Sequence, residues 1–290
     1  MIEKFERILV TTDGSAEAEN AFAAMMPIVK VDRPTVTVLH VLEGPEASFL
    51  PPARVAKACA ALRANGVDAH LRLCEGRPAE EIVRLSAEMD LVVMSTHGRG
   101  GFKHLVLGSV TEEVLRGAQA PLLVTRPAVA VHDWTRMVVA LDGSARGEQI
   151  LEQVVPLARR LHSSVELIES ALPPITMSGL GDVPGVEVID NPLPYLESVK
   201  AWLGTQGIDA SVKVLEGRAG AEILRHAADS RAALLCMTTH GRTGLSRAVL
   251  GSIADEVIRH AHCPVLLKKS VGEKERVAKR PAGAPPAAAE

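Results

Sequence analysis

Apolar strands and amphipathic helices alternate along the chain. Runs rich in Val, Ile and Leu predict β-strands, and apolar residues at helical spacing between them predict α-helices. In the first half the predicted order is strand 7–12, helix 18–29, strand 35–41, helix 53–64, strand 67–74, a helix from Pro78, strand 91–94, a helix from Ser109 and strand 122–125. This alternation is typical of an α/β fold in which a parallel sheet carries helices on both faces.

Right-handed crossovers leave few strand orders for such a sheet, and of these we expect the order 3-2-1-4-5. The winding direction then reverses between strands 1 and 4, which is where open parallel sheets bind their ligands. Asp13 follows strand 1, and the polar segment 95–101 follows strand 4. Both stretches are therefore predicted to line one crevice at the carboxyl ends of the strands.

The second half of the chain repeats the first. Without a gap, residues 93–124 align with residues 236–267, and half of the aligned residues are identical. Each half also has a first strand that ends in Asp-Gly-Ser, at Asp13 and at Asp142. An internal repeat of this length indicates two copies of one domain.

The repeat predicts two tandem five-stranded domains, at residues 1–127 and 134–269, followed by a tail at 270–290. The tail is charged and then rich in Pro and Ala, which predicts disorder. Residues Pro173–Pro194, rich in Pro and Gly, form a longer connection than their counterpart, and we expect a mobile flap there, near the second crevice.

Each predicted sheet ends in an apolar edge strand, Leu122–Thr125 in the first half and Val265–Leu267 in the second. An open apolar edge favours aggregation unless it is paired or covered. Pairing the two equivalent edges would give a contact of twofold character. We therefore expect the two halves to be related by a pseudo-twofold axis.

Composition narrows the choice of partners and of compartment. A net charge of −3 and an aromatic content of 2% offer little attraction for nucleic acid or for an anionic membrane surface. No apolar run approaches the ~18 residues of a membrane span, and the N-terminus lacks the apolar segment of a signal peptide, so we expect a cytoplasmic protein. The four scattered cysteines are predicted to be reduced and mostly buried.

The glycines and hydroxyls after strand 4 suit an anionic ligand. Backbone N–H groups at a strand-to-helix junction can hold phosphates, and Gly98 and Gly108 permit close approach of the backbone. The hydroxyl of Ser109 either contacts the ligand or caps the helix. Asp13 either binds a ribose hydroxyl or a metal, or forms an Asx turn that starts the next helix.

These motifs carry a family resemblance. The pattern S-T-H-G, nine residues, G-S runs from Ser95 to Ser109, and T-T-H-G, nine residues, G-S runs from Thr238 to Ser252. Together with the two V-x-x-D-G-S strand ends, they resemble the nucleotide-binding signature of the universal stress protein family. The resemblance covers about residues 4–127 and 134–269 and implies a five-stranded α/β fold that binds ATP, or ADP or AMP, with or without magnesium.

The resemblance also implies which residues contact the nucleotide. In the first half these are Thr11, Thr12 and Asp13 near adenine and ribose, Val41 at the base, and Ser95, Gly98, Arg99, Gly108, Ser109, Val110 and Thr111 around ribose and phosphates. In the second half they are Ala140, Leu141, Asp142, Thr238, Gly241, Arg242, Gly251, Ser252 and Ile253. The ATP-binding form of the signature begins with glycine, and Ser95 and Thr238 depart from it. Ser170 replaces Val41, and Ala254 replaces Thr111, in the second half.

Three functions remain open. The first is an ATP-binding stress-response regulator with little or no turnover, at most slow ATP hydrolysis, that acts through a protein partner or as a homodimer. The second is a nucleotide-free interaction protein that keeps only the fold, which Ser95 and Thr238 favour. The third is an enzyme of adenylate chemistry. His97 and His240 are its candidate catalytic residues, but no nucleophile and acid stand beside them in the motif. We therefore expect these histidines to orient other groups.

Several other kinds of site are excluded by their missing motifs. The sequence has no P-loop, no G-x-G-x-x-G turn and no zinc-ligand spacing, and it predicts no metal site.

Overall fold

A computed structural model describes residues 4–42, 51–96, 107–127, 129, 133–171, 191–240 and 250–270. Residues 97–101 and 241–244 of the two polar turns lie outside the described residues. Most of the predicted flap, at 173–190, and the predicted tail from residue 271 onwards also lie outside them.

The helices and strands of the first half follow the predicted order. They are β1 (Arg7–Thr11), α1 (Glu19–Asp32), β2 (Thr35–Leu42), α2 (Ala53–Ala64), β3 (Ala69–Glu75), α3 (Pro78–Ser86), β4 (Leu91–Ser95), α4 (Ser109–Gly117) and β5 (Leu122–Thr125). Helix α2 ends at Asn65 and Gly66, and Gly66 has a φ of 76° that glycine adopts without strain.

The second half repeats this order. Its elements are β6 (Arg136–Ala140), a 3-10 turn (Gly147–Ile150), α5 (Leu151–Leu161), β7 (Ser164–Ala171), α6 (Leu193–Thr205), β8 (Ala210–Glu216), α7 (Ala219–Asp229), β9 (Leu234–Thr238), α8 (Ser252–His260) and β10 (Val265–Lys268). The predicted flap extends too far at its C-terminal end, because Leu193 and Pro194 already belong to α6. A proline is tolerated in the first turn of a helix, where its missing N–H would have no intrahelical partner.

All ten strands form one sheet, in the order β3-β2-β1-β4-β5-β10-β9-β6-β7-β8. Each half has the predicted order 3-2-1-4-5, and all pairs within a half are parallel. The halves join through β5 and β10, which pair antiparallel with Leu123 opposite Leu266. The prediction that the apolar edges pair is confirmed, so neither edge strand is left open to aggregation.

Two apolar layers cover the faces of the sheet, and each layer runs through both halves. Residues of α1, α2, α5 and α6 pack on one face, against inward residues such as Val10 and Val139. Residues of α3, α4, α7 and α8 pack on the other face, against alternate strand residues such as Leu9 and Val138. Adjacent strand residues point to opposite faces, which is why both faces of these apolar strands are buried.

A buried ion pair also joins the halves. The carboxylate of Asp32, at the end of α1, lies 2.6 Å from Nε of Arg160 on α5, and the Asp32 side chain is fully buried. The same carboxylate accepts a hydrogen bond of 2.9 Å from the backbone N–H of Phe5. Asp32 therefore ties α1 to the second half and to the N-terminal segment at once.

A buried His–Glu contact distinguishes α7 from its counterpart α3. His226 Nε2 lies 3.1 Å from the carboxylate of Glu166 on β7, and the side chains are only 7% and 13% exposed. Aligning Gly217 with Gly76 places Leu85 at the position of His226, and aligning β7 with β2 places Thr37 at that of Glu166. The first half thus has Leu85 and Thr37 where the second half has an imidazole and a carboxyl group.

We expect His226→Leu alone to lower the free energy of unfolding by about 1–3 kcal/mol, because it leaves Glu166 buried beside an apolar group. The double variant His226→Leu, Glu166→Thr copies the first half and should recover most of this loss. Urea unfolding of both variants at neutral pH measures the difference. If the single and the double variant were equally stable, His226 and Glu166 would not be coupled.

Candidate functional site

The candidate crevice lies at the carboxyl ends of β1 and β4. These strands are parallel neighbours, with Ile8 opposite Leu91 and Val10 opposite Val93. The residues that follow them, Thr12 and Thr96, therefore lie at the same edge of the sheet. β6 and β9 are paired in the same way in the second half. Both crevices thus lie where the strand order reverses, as predicted.

The loop after β1 forms the Asx turn that was one of the two interpretations of Asp13. Oδ1 of Asp13 accepts hydrogen bonds from the N–H of Ser15, at 2.9 Å, and from the Ser15 hydroxyl, at 2.6 Å. Gly14 has a φ of 80°, and its N–H donates to the Thr12 hydroxyl at 3.1 Å. The turn fixes the half-buried Asp13 just after β1, at the carboxyl edge of the sheet.

The second half repeats this turn closely. Oδ1 of Asp142 accepts from the N–H and the hydroxyl of Ser144, at 3.1 and 2.7 Å. The Ser144 hydroxyl in turn accepts from the N–H of Gly147, at 3.0 Å, where the 3-10 turn begins. In both halves, a carboxylate is positioned by a turn and followed by the start of a helix.

The start of α4 lies close to the end of β4. The N–H of Gly108 donates to the carbonyl of Thr96 at 3.3 Å, and the Thr111 hydroxyl lies 3.4 Å from the same carbonyl. Gly108 is the N-cap, and no side chain caps this helix. The interpretation of Ser109 as the cap is wrong, because Ser109 is already the first helical residue and its side chain is exposed.

Packing explains the glycine at the N-cap in both halves. A Cβ on Gly108 would lie 3.2 Å from the Thr96 carbonyl oxygen, and a Cβ on Gly251 would lie 2.7 Å from that of Thr239. The second approach is too close for any side chain unless the backbone shifts. Glycine is therefore required at 251 by the contact between helix and strand, whether or not a ligand is bound, and at 108 the same contact is tight for a side chain.

The departures from the glycine signature are structurally distinct. The Ser95 hydroxyl is buried and has no hydrogen-bond partner among the described residues. Its counterpart Thr238 donates its hydroxyl to the carbonyl of His240 at 2.9 Å.

Two further predicted contact residues belong to β1 and β2 or follow them directly. Thr12 is buried just after β1, and its N–H donates to the Leu39 carbonyl at 3.0 Å. Val41 is half-buried on the face of the sheet that carries α3 and α4.

Four predicted contact residues, Gly98, Arg99, Gly241 and Arg242, lie outside the described residues. The structure describes the others. They lie at or just after the ends of β1, β2, β4, β6 and β9, or at the starts of α4 and α8, as follows: Thr11, Thr12, Asp13, Val41, Ser95, Gly108, Ser109, Val110 and Thr111 in the first half, and Ala140, Leu141, Asp142, Thr238, Gly251, Ser252 and Ile253 in the second.

Sequence reasoning missed His40. Its side chain is buried, and Nδ1 lies 2.8 Å from the Thr12 carbonyl. Because a carbonyl oxygen only accepts, Nδ1 carries the proton in this contact. A polar residue inside an apolar strand was the available signal. The corresponding residue of β7 is Glu169, which is also buried.

Sequence reasoning also missed Glu148 and Tyr195 of the second half. Glu148 is buried in the 3-10 turn that follows the Asp142 loop. Burial, followed by the charges of Glu148, Glu169 and Asp142, raises the pKa of the Tyr195 phenol well above its ordinary value. Glu148, Glu169 and Asp142 therefore all lie near enough to act on Tyr195, and the phenol is neutral at physiological pH.

The thiols lie in the protein interior. Cys59, Cys236 and Cys263 are buried, Cys74 is half-buried, and all four are free. Burial raises the pKa of Cys263 to about 12 and that of Cys236 well above its ordinary value.

Within the described residues no group of three or more His, Cys, Asp or Glu side chains is placed to hold a metal ion. A search of the same residues found no helix that is both long and apolar enough to cross a membrane.

Known proteins similar to this chain agree with the fold and the repeat. A universal stress protein of Mycobacterium tuberculosis is 27% identical over 290 residues, an alignment that covers 90% of this chain and 96% of that protein. A universal stress protein of Methanocaldococcus jannaschii is 29% identical over 140 residues, covering 47% of this chain and 82% of that protein. The crystal structure of a universal stress protein from Archaeoglobus fulgidus superposes with a TM-score of 0.70 at 21% identity and covers 92% of this chain and 97% of that one.

The sequence model of the universal stress protein family matches the chain twice, at residues 4–126 and 133–269. The two matches coincide with the two five-stranded halves of the sheet. The chain therefore belongs to the universal stress protein family, with the family's α/β fold present twice in one polypeptide.

Proposed function

We propose that the chain is a regulatory protein of the stress response that binds ATP in the crevice of its first half, with little or no turnover. The observation that carries the proposal is the exposed start of α4 at the carboxyl ends of β1 and β4, with the Asp13 carboxylate at the same edge. The first N–H groups of a helix lack intrahelical partners and, with the helix dipole, favour phosphate. Asp13 supplies an acceptor for a ribose hydroxyl.

The residues proposed to contact ATP in the first half are those assigned by the resemblance. ADP and AMP are related ligands whose affinities should be compared with that of ATP. Magnesium is proposed only as an ion bound to the ATP phosphates. The proposed regulatory action requires a protein partner or a second copy of the chain. Size-exclusion chromatography with and without ATP tests the second copy, because an ATP-dependent change in apparent mass would reveal it.

One observation favours the nucleotide-free alternative. Ser95 stands where the ATP-binding signature has glycine, and its hydroxyl is buried at the end of β4. The close contact between Gly108 and the Thr96 carbonyl, moreover, favours glycine there even without a ligand. Mass spectrometry of small molecules released from the purified, denatured protein decides between the two functions. Released adenine nucleotide supports the proposal, whereas an empty protein that also shows no heat in titration with ATP supports the alternative.

Calorimetric titration should include ATP with magnesium, ADP, AMP and cAMP. One universal stress protein has been crystallised in complex with cAMP, which makes cAMP a useful competitor here. Incubation with ATP, followed by measurement of released ADP, tests turnover. Rapid conversion of ATP would favour an enzyme of adenylate chemistry over a regulator.

We expect Asp13→Ala to weaken ATP binding by about 1–2 kcal/mol, roughly five- to thirtyfold, because it removes a charged hydrogen-bond acceptor. Ser15→Ala is the matched control, since it removes the 2.6 Å hydroxyl contact of the same turn but keeps the carboxylate. Titration of both variants separates ligand binding from turn formation. Equal losses in both would show that Asp13 serves only the turn.

A further inference from the structure

The position of Asp13 depends on how the residue before it is held. Thr12 donates its N–H to the Leu39 carbonyl at 3.0 Å, and its hydroxyl accepts from the Gly14 N–H at 3.1 Å. Its carbonyl accepts from Nδ1 of His40 at 2.8 Å. Thr12 and His40 are 9% and 5% exposed. The backbone from which the Asp13 loop begins is thus fixed by buried contacts.

The His40 contact differs from the other two in what it fixes. The Leu39 contact continues the pairing of β1 with β2, and the Gly14 contact lies within the turn itself. His40 instead reaches the Thr12 carbonyl through its side chain, from 28 residues away in the sequence. This carbonyl lies in the same planar peptide unit as the N–H and Cα of Asp13. A hydrogen bond to the carbonyl therefore orients the unit from which the Asp13 side chain projects.

The second half has a carboxyl group in place of this imidazole. Leu141 donates its N–H to the Ile168 carbonyl at 2.9 Å, which repeats the strand contact of Thr12. The next residue of β7 is Glu169, at the position of His40. An imidazole N–H that orients the loop is therefore a feature of the first half alone.

The turn of the second half is closed by a different contact. A Cβ on Gly147 would overlap Oδ1 of Asp142, so the Asp142 carboxyl group packs directly against the glycine backbone. Ala18 stands at the position of Gly147 in the first half, and it is buried. The Cβ of Ala18 keeps Asp13 from packing in this way. The first half thus lacks the glycine contact and has the imidazole contact.

We propose that His40 is a positioning residue of the first crevice, which holds the Thr12 carbonyl and thereby places the Asp13 carboxyl group for the ribose of the nucleotide. This inference rests on the proposed function, in which Asp13 supplies the acceptor for a ribose hydroxyl. Without the His40 donor, the buried carbonyl loses a hydrogen bond and the peptide unit is free to rotate. The effect on ATP affinity is transmitted through Asp13, so it should disappear when the Asp13 carboxyl group is absent.

Calorimetric titration of the full chain with ATP and magnesium tests this transmission. His40→Leu removes the donor and is expected to weaken ATP binding roughly two- to tenfold. His40→Asn carries an amide N–H at the position of Nδ1 and should restore most of the affinity. In the Asp13→Ala background, His40→Leu should cause little further loss, because both changes act on the same contact with the ligand.

A matched control separates positioning from general destabilisation. His226 is another buried histidine, also 5% exposed, and it lies in the other half of the chain. His226→Leu removes the same side chain and should leave ATP affinity unchanged. Circular dichroism shows whether each variant is folded. If His40→Leu is unfolded, His40→Gln replaces it, because the glutamine amide reaches the position of Nε2 and not that of Nδ1.

Hydrogen exchange followed by mass spectrometry measures the effect on the turn in the absence of any ligand. Residues 12–15 should exchange faster in His40→Leu than in the unaltered protein, because the peptide unit before Asp13 is less constrained. His40→Asn should restore the slower exchange. Unchanged exchange of these residues in a folded His40→Leu or His40→Gln variant overturns the inference.

The titrations separate the inference from the function on which it rests. Unchanged ATP affinity in His40→Leu, no recovery in His40→Asn, or an equal loss in His226→Leu overturns the inference but not nucleotide binding. A loss in His40→Leu that is undiminished in the Asp13→Ala background overturns it as well. The absence of ATP binding in the unaltered protein contradicts the proposed function itself, and the exchange of residues 12–15 then decides alone whether His40 holds the turn.

Discussion

Ser109→Glu is expected to weaken ATP binding about tenfold to several hundredfold, corresponding to roughly 1–4 kcal/mol. Ser109 is the first residue of α4, and its side chain is exposed at the helix start that is proposed to hold the phosphates. A carboxylate at this point repels the phosphates at short range. Calorimetric titration with ATP and magnesium measures the loss.

The substitution is chosen so that the fold is preserved. A carboxylate in the first turn is favourable for the helix dipole, so α4 should remain folded. Gly108→Glu would be less informative, because the Cβ that it adds would lie only 3.2 Å from the Thr96 carbonyl oxygen and could disturb the backbone. Ser109→Gln is the matched control, since it has the same size without the charge. If Ser109→Glu and Ser109→Gln bound ATP equally well, the phosphates would not lie at the start of α4.

Asp32→Ala is expected to lower the free energy of unfolding by about 3–5 kcal/mol. The substitution removes the fully buried carboxylate that contacts Arg160 at 2.6 Å and accepts from the Phe5 N–H at 2.9 Å. It removes the carboxylate from the guanidinium of Arg160, whose side chain is 23% exposed, and takes the acceptor from the buried N–H of Phe5. Urea or thermal unfolding followed by circular dichroism gives the change in stability.

Two further variants show whether burial is the cause. Asp32→Asn keeps an acceptor for the Phe5 N–H but removes the charge, and it should cost less than Asp32→Ala. Asp133→Ala removes an ion pair of 2.9 Å with Lys30 whose side chains are 72% and 61% exposed. Exposed pairs of this kind contribute about 0–1 kcal/mol. A loss in Asp133→Ala as large as that in Asp32→Ala would contradict the argument from burial.

The order of strands and helices was predictable from the sequence because it depends on local periodicity. The apolar runs fixed the positions of the ten strands closely, and right-handed crossovers then left the order 3-2-1-4-5. The internal repeat predicted the second half from the first. Even the contact between β5 and β10 followed, because two apolar edge strands in one chain are stable only if they are paired or covered.

The details of the site depend on contacts between distant residues, and these the sequence did not reveal. The N-cap of α4 is Gly108 and not Ser109, because the carbonyl of Thr96 approaches the helix start too closely for a side chain to fit easily. The Asx turn at Asp13 was one of two open interpretations until its hydrogen bonds to Ser15 were seen.

The difference between the two crevices was likewise visible only in three dimensions. His40 and Glu169 are polar residues inside apolar strands, but the sequence pattern does not say what they contact. Glu148 and Tyr195 are 47 residues apart in the sequence. In the folded chain Glu148 and Glu169 are both buried, and both act on the phenol of Tyr195. The sequence determined the two copies of the fold, because local periodicity and the internal repeat are properties of the sequence itself. The tertiary structure decided which polar side chains each copy buries, because burial depends on contacts between distant residues.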